Sequence, residues 1–172
     1  MECLVCGVPL NTEEMLKYIR MGGDRGAAVK IKETAYQFMQ CSVIISEEEV
    51  LYGIDSGKSR TAVKVLFPPD RSRSRKVLAR RTVRSTVCSA EEIEKVLLGI
   101  GAQNRQTREY TRKTYEYKET QVDIVGRDGK ELVVVRTEDK ESGEAIIEEV
   151  KNKLRIWVDL QMPPQEVWDL VS

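Results

Sequence analysis

Between Lys58 and Arg84 the chain carries Lys58, Arg60, Lys64, Arg71, Arg73, Arg75, Lys76, Arg80, Arg81 and Arg84 against a single acid, Asp70. The residues on either side of Pro68-Pro69 alternate at strand period. In 60–67 one face holds Arg60, Ala62 and Lys64, and the other holds Thr61, Val63, Val65 and Phe67. In 77–87 one face holds Arg80, Thr82, Arg84 and Thr86, and the other holds Val77, Ala79, Arg81, Val83 and Val87. Two such strands side by side form a cationic wall with an apolar face behind it. The plainer reading is a solvated strand face with a basic loop. A basic face cannot be buried in an ordinary core, but it can line a water-filled barrel. Hairpin spacing along the rest of the chain calls for one antiparallel sheet, and strands that are polar inside and apolar outside call for that sheet to close.

Charge balance narrows the partner. The 28 Lys and Arg residues cancel the 28 Asp and Glu residues, so bulk charge does not make this a polyanion-coating protein. The signs are segregated, with acids at 47–49, 91–94 and 138–149, which favours a local anion site. Histidine is absent, which excludes His general bases, Ser-His-Asp triads and His metal ligands. Cys3-x-x-Cys6 has no second pair to complete a zinc site, and period 2 puts the two thiols on opposite faces, so no zinc is expected. Cys41 and Cys88 read as buried small hydrophobes. No apolar run is long enough to span a membrane, and the expected setting is cytoplasmic and reducing, without a membrane partner.

In chain order, 1–9 reads as a strand. Asn11 with Glu14 forms a capping box for a helix carrying Met15, Leu16 and Ile19, which stops at Gly22-Gly23. Residues 27–32 and 35–45 read as two strands, 47–49 as a turn or strand edge, and 50–54 as a further strand. After the basic pair, Ser89 and Glu92 cap a second helix. Residues 107–118, 121–125 and 131–137 read as strands, the last two joined by an Arg127-Asp128-Gly129 turn. Ser142 caps a third helix with Ile146, Ile147, Val150 and Leu154 inward, and Val167, Trp168 and Leu170 close one end of the core.

This order of elements resembles the CYTH superfamily, the triphosphate-tunnel fold of class IV adenylyl cyclases and thiamine or inorganic triphosphatases. The resemblance runs over most of the chain, through EMLKYIRMGG, TAVK, ARRTVR, EEIEKVLLGIGA, TRKTYEYKETQVDIV and the closing Trp-Asp-Leu. It implies a single α+β domain over 1–172: an antiparallel sheet of about eight strands closed into a barrel or tunnel, with helices packed outside. It also implies phosphate-binding roles for Arg60, Lys64, Arg80, Arg84, Arg112 and Lys113. The acidic half departs from the family, whose first strand reads Glu-x-Glu-x-Lys where this chain has Glu2, Leu4 and Cys6. Glu116, Asp123 and Glu131 join Glu2 as the metal candidates, for Mg or Mn.

With fewer carboxylates, metal binding weakens more than phosphate binding, because the cations alone hold phosphate by charge-assisted hydrogen bonds. The implied function is a CYTH-like protein that holds a nucleotide triphosphate or other polyphosphate in a basic tunnel, with weak or absent metal-dependent turnover. An active triphosphatase or adenylyl cyclase is the second reading. A nucleic-acid or protein-interaction module using the basic loop 71–76 is the third.

Overall fold

The computed structural model describes residues 2–21, 26–53, 56–69, 78–87, 89–139 and 142–163, with the backbone alone for 78–80 and Arg105. Its elements run β1 (Glu2–Gly7), α1 (Thr12–Arg20), β2 (Ala27–Phe38), β3 (Cys41–Tyr52), β4 (Ser59–Leu66), β5 (Leu78–Arg80) and β6 (Thr82–Val87). They continue with α2 (Ala90–Gly99), β7 (Gln103–Tyr117), β8 (Thr120–Arg127), β9 (Lys130–Thr137) and α3 (Gly143–Leu154). All nine strands lie in one antiparallel sheet of order β5-β1-β9-β8-β7-β2-β3-β4-β6.

The two ends of that order are consecutive pieces of chain separated only by Arg81. β5 pairs with β1, setting Glu2 opposite Arg80, while β6 pairs with β4, setting Lys64 opposite Arg84. One broken strand therefore serves both edges, and the sheet closes on itself as an α+β barrel. Closure removes exposed sheet edges, which otherwise invite pairing with other chains. The break leaves the Arg81 carbonyl to accept from the Phe67 N–H at 3.1 Å, and the Arg81 guanidinium lies over the Phe67 ring.

Helices cover the outside in two places. Cys3 and Val5 of β1, Val122 and Ile124 of β8, and Val133 and Val135 of β9 pack with Met15 and Ile19 of α1 and with Ile147, Val150 and Leu154 of α3. On the opposite flank, Val43, Ile45, Val63 and Val65 pack with Ile93 and Leu97 of α2. Because alternate residues face opposite ways, burying Val63 and Val65 under α2 turns Arg60, Ala62 and Lys64 inward. Tyr36 ties the second helix down by donating to Glu94 Oε1 at 2.5 Å.

The caps of α1 and α2 match the sequence: Asn11 Oδ1 accepts from the Glu14 N–H and Ser89 Oγ accepts from the Glu92 N–H. Ser142 makes no side-chain cap to α3, because its hydroxyl and its N–H both donate to Asp139 Oδ1. Residues 27–38 form one strand where two were expected, and Glu47–Glu49 lie within β3. The β2–β3 turn falls at Met39-Gln40, where Met39 takes φ 53°. That turn has no Gly, Asn or Asp to announce it. Asp128 and Gly129, at φ 51° and 74°, form the expected β8–β9 turn, a primed hairpin geometry that favours Asp-Gly. The closing Val167, Trp168 and Leu170 lie outside the described residues, as do Cys88 and the loop 71–76. No described helix is long and apolar enough to cross a membrane.

Gly7 ends β1 where the chain returns from α3. A β-carbon there would stand 2.2 Å from the Asp159 carbonyl oxygen, a backbone atom that cannot swing aside. Gly7→Ala is expected to destabilise the protein by about 1–3 kcal/mol through forced backbone movement. Urea denaturation of the two proteins checks this.

Candidate functional site

The barrel interior has two unlike halves. Leu4 and Cys6 of β1, Val125 of β8, and Leu132 and Val134 of β9 form one apolar cluster. Val29, Ile31 and Tyr110 continue it with Val125. Ala35, Ile44 and Leu66 form a further small apolar cluster, and the charged side chains of the remainder are closely paired, so the open tunnel expected throughout is reduced to a cavity on one side of the barrel. There a cavity of about 320 Å³ is lined by Glu33, Glu48, Arg60, Lys64, Arg84 and Arg112, among others.

Each cation in this half meets a carboxylate. Glu48 of β3 bridges two strands: Arg60 Nε donates to its Oε2 at 2.6 Å, and Arg112 Nη2 donates to its Oε1 at 3.3 Å. Glu2 gathers more. Its Oε1 accepts from Arg84 Nη2 at 3.0 Å and from Arg136 Nη1 at 3.3 Å, with Lys64 Nζ at 3.9 Å, and its Oε2 accepts from Thr82 Oγ1 at 3.0 Å. Asp123 Oδ1 accepts from Thr114 Oγ1 at 2.7 Å and Gln121 Nε2 at 3.0 Å. Its Oδ2 lies 2.5 Å from Arg136 Nη2, an ion pair whose angles fall short of a hydrogen bond. Glu33 receives Arg108 Nε at 3.2 Å and Ser46 Oγ at 3.3 Å.

Burial pushes the Asp123 carboxyl up, but Arg136, Arg112, Thr114 and Gln121 outweigh it and hold the group below its ordinary 3.8. Burial works against the Arg136 charge too, and Asp123, Glu2 and Tyr110 restore it so that the guanidinium stays ionised. Arg108 Nη2, Arg112 Nε and Arg136 Nε are buried without a hydrogen-bond partner, so these guanidinium groups keep unused donor capacity inside the barrel.

Of the residues expected at a phosphate site, Arg60, Lys64, Arg84 and Arg112 converge on the one cavity. Arg80 stands opposite Glu2 in register, with only its backbone described. Lys113 departs from the set: it is exposed, one residue out of phase with Arg112, and so faces outward. The metal candidates do not assemble. Glu2 and Asp123 lie inside, but Arg136 stands between them and is bound to both. Glu131 is exposed on the outer side and accepts from Thr12 Oγ1 of α1, while Glu116 is exposed near the far end of β7. Among the described residues no three Asp, Glu, Cys or His side chains are grouped to hold a metal ion. Divalent magnesium and manganese want open carboxylate oxygens, and carboxylates already engaged by guanidinium do not fit that need. Cys3 and Cys6 face opposite ways, one under the helices and one in the interior cluster. Cys41 is half-buried beside the β2–β3 turn, less enclosed than expected.

Four interior partners escaped the sequence reading: Glu33, Glu48, Arg108 and Arg136. Arg108 is two residues removed twice over from Arg112, so strand period alone carried the signal. Arg136 closes the inward series Leu132, Val134, Arg136, where a lone cation ends an apolar face. Glu48 was hidden inside a run of three acids, and Glu33 between two segments taken as separate strands.

Fold and interior together define an antiparallel α+β barrel with one ionised half and one apolar half. No family model matches the sequence, and no curated protein matches it. Solved structures do. A protein of Pyrococcus horikoshii OT3, PH1819, aligns with TM-score 0.75 at 14% identity over 99% of this chain and 98% of that one. A candidate adenylate cyclase from Vibrio parahaemolyticus aligns with TM-score 0.69 at 13% identity, over 96% and 95%. A chain of the Schizosaccharomyces pombe Mediator head module aligns with TM-score 0.65 at 15% identity, over 94% and 98%. At such identities the likeness shows the fold.

Removing Arg136 leaves two buried carboxylates without their shared counter-charge. Arg136→Met is expected to cost about 3–5 kcal/mol in urea denaturation. The depressed Asp123 group sets the pH dependence. Unfolded, it takes up its proton near the ordinary value of 3.8, while folded it resists until lower pH. Its contribution is therefore complete above that value and is lost as pH falls from there through the folded pKa. Stability measured across acid pH is expected to fall less steeply in Asp123→Asn than in the unaltered protein.

Proposed function

We propose that this is a CYTH-like protein that holds the phosphates of a nucleotide triphosphate or other polyphosphate in the cavity between β3, β4, β6 and β7. The observation that carries the reading is the convergence of Arg60, Lys64, Arg84 and Arg112 on one cavity of about 320 Å³ with only Glu33 and Glu48 as lining acids. Among the lining residues cations outnumber carboxylates four to two, with Glu2 meeting Lys64 and Arg84 from outside the lining. The likeness in fold to candidate adenylate cyclases from Vibrio parahaemolyticus and Bacillus halodurans supports it.

Guanidinium groups suit phosphate because their planar donors match two oxygens at once, while Lys64 offers a point charge. The cavity opens on the charged half of the barrel, where the cations are already gathered by Glu48 and Glu2 and an anion would compete with those carboxylates for them. Among the described residues no group of carboxylates is placed to hold a metal, so on this reading the attraction rests on these cations and metal-dependent turnover is weak or absent. A second reading has a specific observation behind it: every cation of the cavity already has a carboxylate partner. On that reading the interior is a self-contained ionic lattice and the barrel is an interaction module. A structural neighbour within the Mediator head module is in keeping with it.

Calorimetric titration with tripolyphosphate separates the two. Binding is expected with little dependence on Mg²⁺ or Mn²⁺ and without release of phosphate. Lys64→Ala and Arg84→Ala should each weaken it roughly tenfold or more, the equivalent of one charge-assisted hydrogen bond at ~1.5 kcal/mol. No heat of binding, or affinity untouched by the double alanine variant, favours the interaction module.

A further inference from the structure

We propose that Glu48 sets the charge that a ligand must carry to enter the cavity, an inference that rests on the phosphate-binding reading above. Glu48 is 8% exposed, lines the cavity, and projects from β3 between two arginines of different strands. Arg60 lies opposite it in the β3–β4 register. Arg112 belongs to β7, beyond β2 on the other side. The carboxylate divides its oxygens between them, at 2.6 Å to Arg60 Nε and 3.3 Å to Arg112 Nη2. This is the way a bound anion would be held, with one oxygen for each guanidinium. Glu48 thus acts as an internal anion seated on two of the four cations that the cavity offers.

An incoming ligand must take those donors from Glu48. A ligand with little charge exchanges one anion for another. It also leaves the Glu48 carboxylate enclosed, without its hydrogen bonds and beside a second negative group. A polyphosphate answers this differently, because its oxygens can reach Lys64 and Arg84 as well as Arg60 and Arg112. Those two further cations meet Glu2, whose Oε1 is shared among Lys64, Arg84 and Arg136. The gain at Lys64 and Arg84 offsets the loss at Glu48. Glu48 therefore discriminates against singly phosphorylated and carboxylate ligands in favour of polyanions, by keeping the cavity occupied for anything weaker. Its role is in specificity, and it takes part in no bond-making step.

Glutamine has the size of glutamate and keeps one acceptor oxygen, but it lacks the charge that holds both arginines. The experiment is calorimetric titration of the full chain with inorganic phosphate and with tripolyphosphate, comparing the unaltered protein, Glu48→Gln and Glu49→Gln. Glu49 is exposed on the outer face of the same strand, so its substitution makes the same change in net charge away from the cavity. Glu48→Gln is expected to raise phosphate affinity about tenfold or more and to narrow the gap between the two ligands. Glu49→Gln is expected to leave the gap as it is. Glu48→Asp keeps the charge but falls a methylene short of spanning both arginines, and should narrow the gap in the same direction by less. It serves as the deciding variant should Glu48→Gln fail to fold. If the unaltered protein binds tripolyphosphate and neither Glu48 variant narrows the gap, this inference is overturned and the phosphate site stands. If no protein in the set binds either ligand, both fall together.

Discussion

A carboxylate buried where a sheet meets itself is the contact on which this barrel turns. Glu2 projects inward from β1 and accepts from Arg136 of β9 on its own side of the closure, and from Thr82 and Arg84 of β6 on the other, with Lys64 of β4 close by. Those strands belong to opposite ends of the sheet order. Backbone pairing at the closure is short, three residues of β5 against β1. A charge with several donors around it is stabilised by each of them, and losing one partner leaves the rest buried and uncompensated. The closure is therefore held by ionic contacts inside as well as by the ladder in the wall.

That arrangement also decides where chemistry can occur. Apolar side chains from β1, β8 and β9 take up one half of the interior, and charge must collect in the other. In that half opposite signs are interleaved so closely that Arg136 serves two carboxylates and Glu48 serves two arginines. Interleaving gives each buried charge a partner of opposite sign. The same pairing withdraws the acids from metal coordination.

The alternation of 60–67 made the inward face of β4 legible, because period 2 and the apolar character of Val63 and Val65 left only one way for Lys64 to point. The helix caps at Asn11 and Ser89 were legible for a local reason, since a capping side chain bonds within its own turn. What escaped were features that depend on distant partners. Glu48 looks like part of an acidic turn until Arg60 and Arg112 stand on either side of it. Leu4 and Cys6 were matched to inward positions only through the family's Glu-x-Glu-x-Lys strand, because an apolar residue on a strand reads the same whether it faces a helix or the interior. The turn at Met39 lay hidden for want of a turn-forming residue. Lys113 and Glu131 each lie a single step of phase from an inward neighbour, Arg112 and Leu132, and in a strand that step separates the two faces of the wall.

The place of β1 in the sheet has a consequence for how the chain reaches this state. Among the described strands the earliest in sequence, β1, is bonded to the latest, β9, Cys3 lying opposite Thr137, and on its other side to a segment from mid-chain. Both sets of contacts span long stretches of sequence, the kind of pairing that is slow to form because the loop must close before the contact rewards it. β2, β3 and β4, joined in sequence order and paired along their lengths, can assemble early as a meander. The longer of the two pairings of β1 must wait for residue 137. A ribosome releasing this chain would hold β1 without its β9 partner until the last of these strands is made, with Leu4 and Val5 less enclosed until the barrel shuts around them.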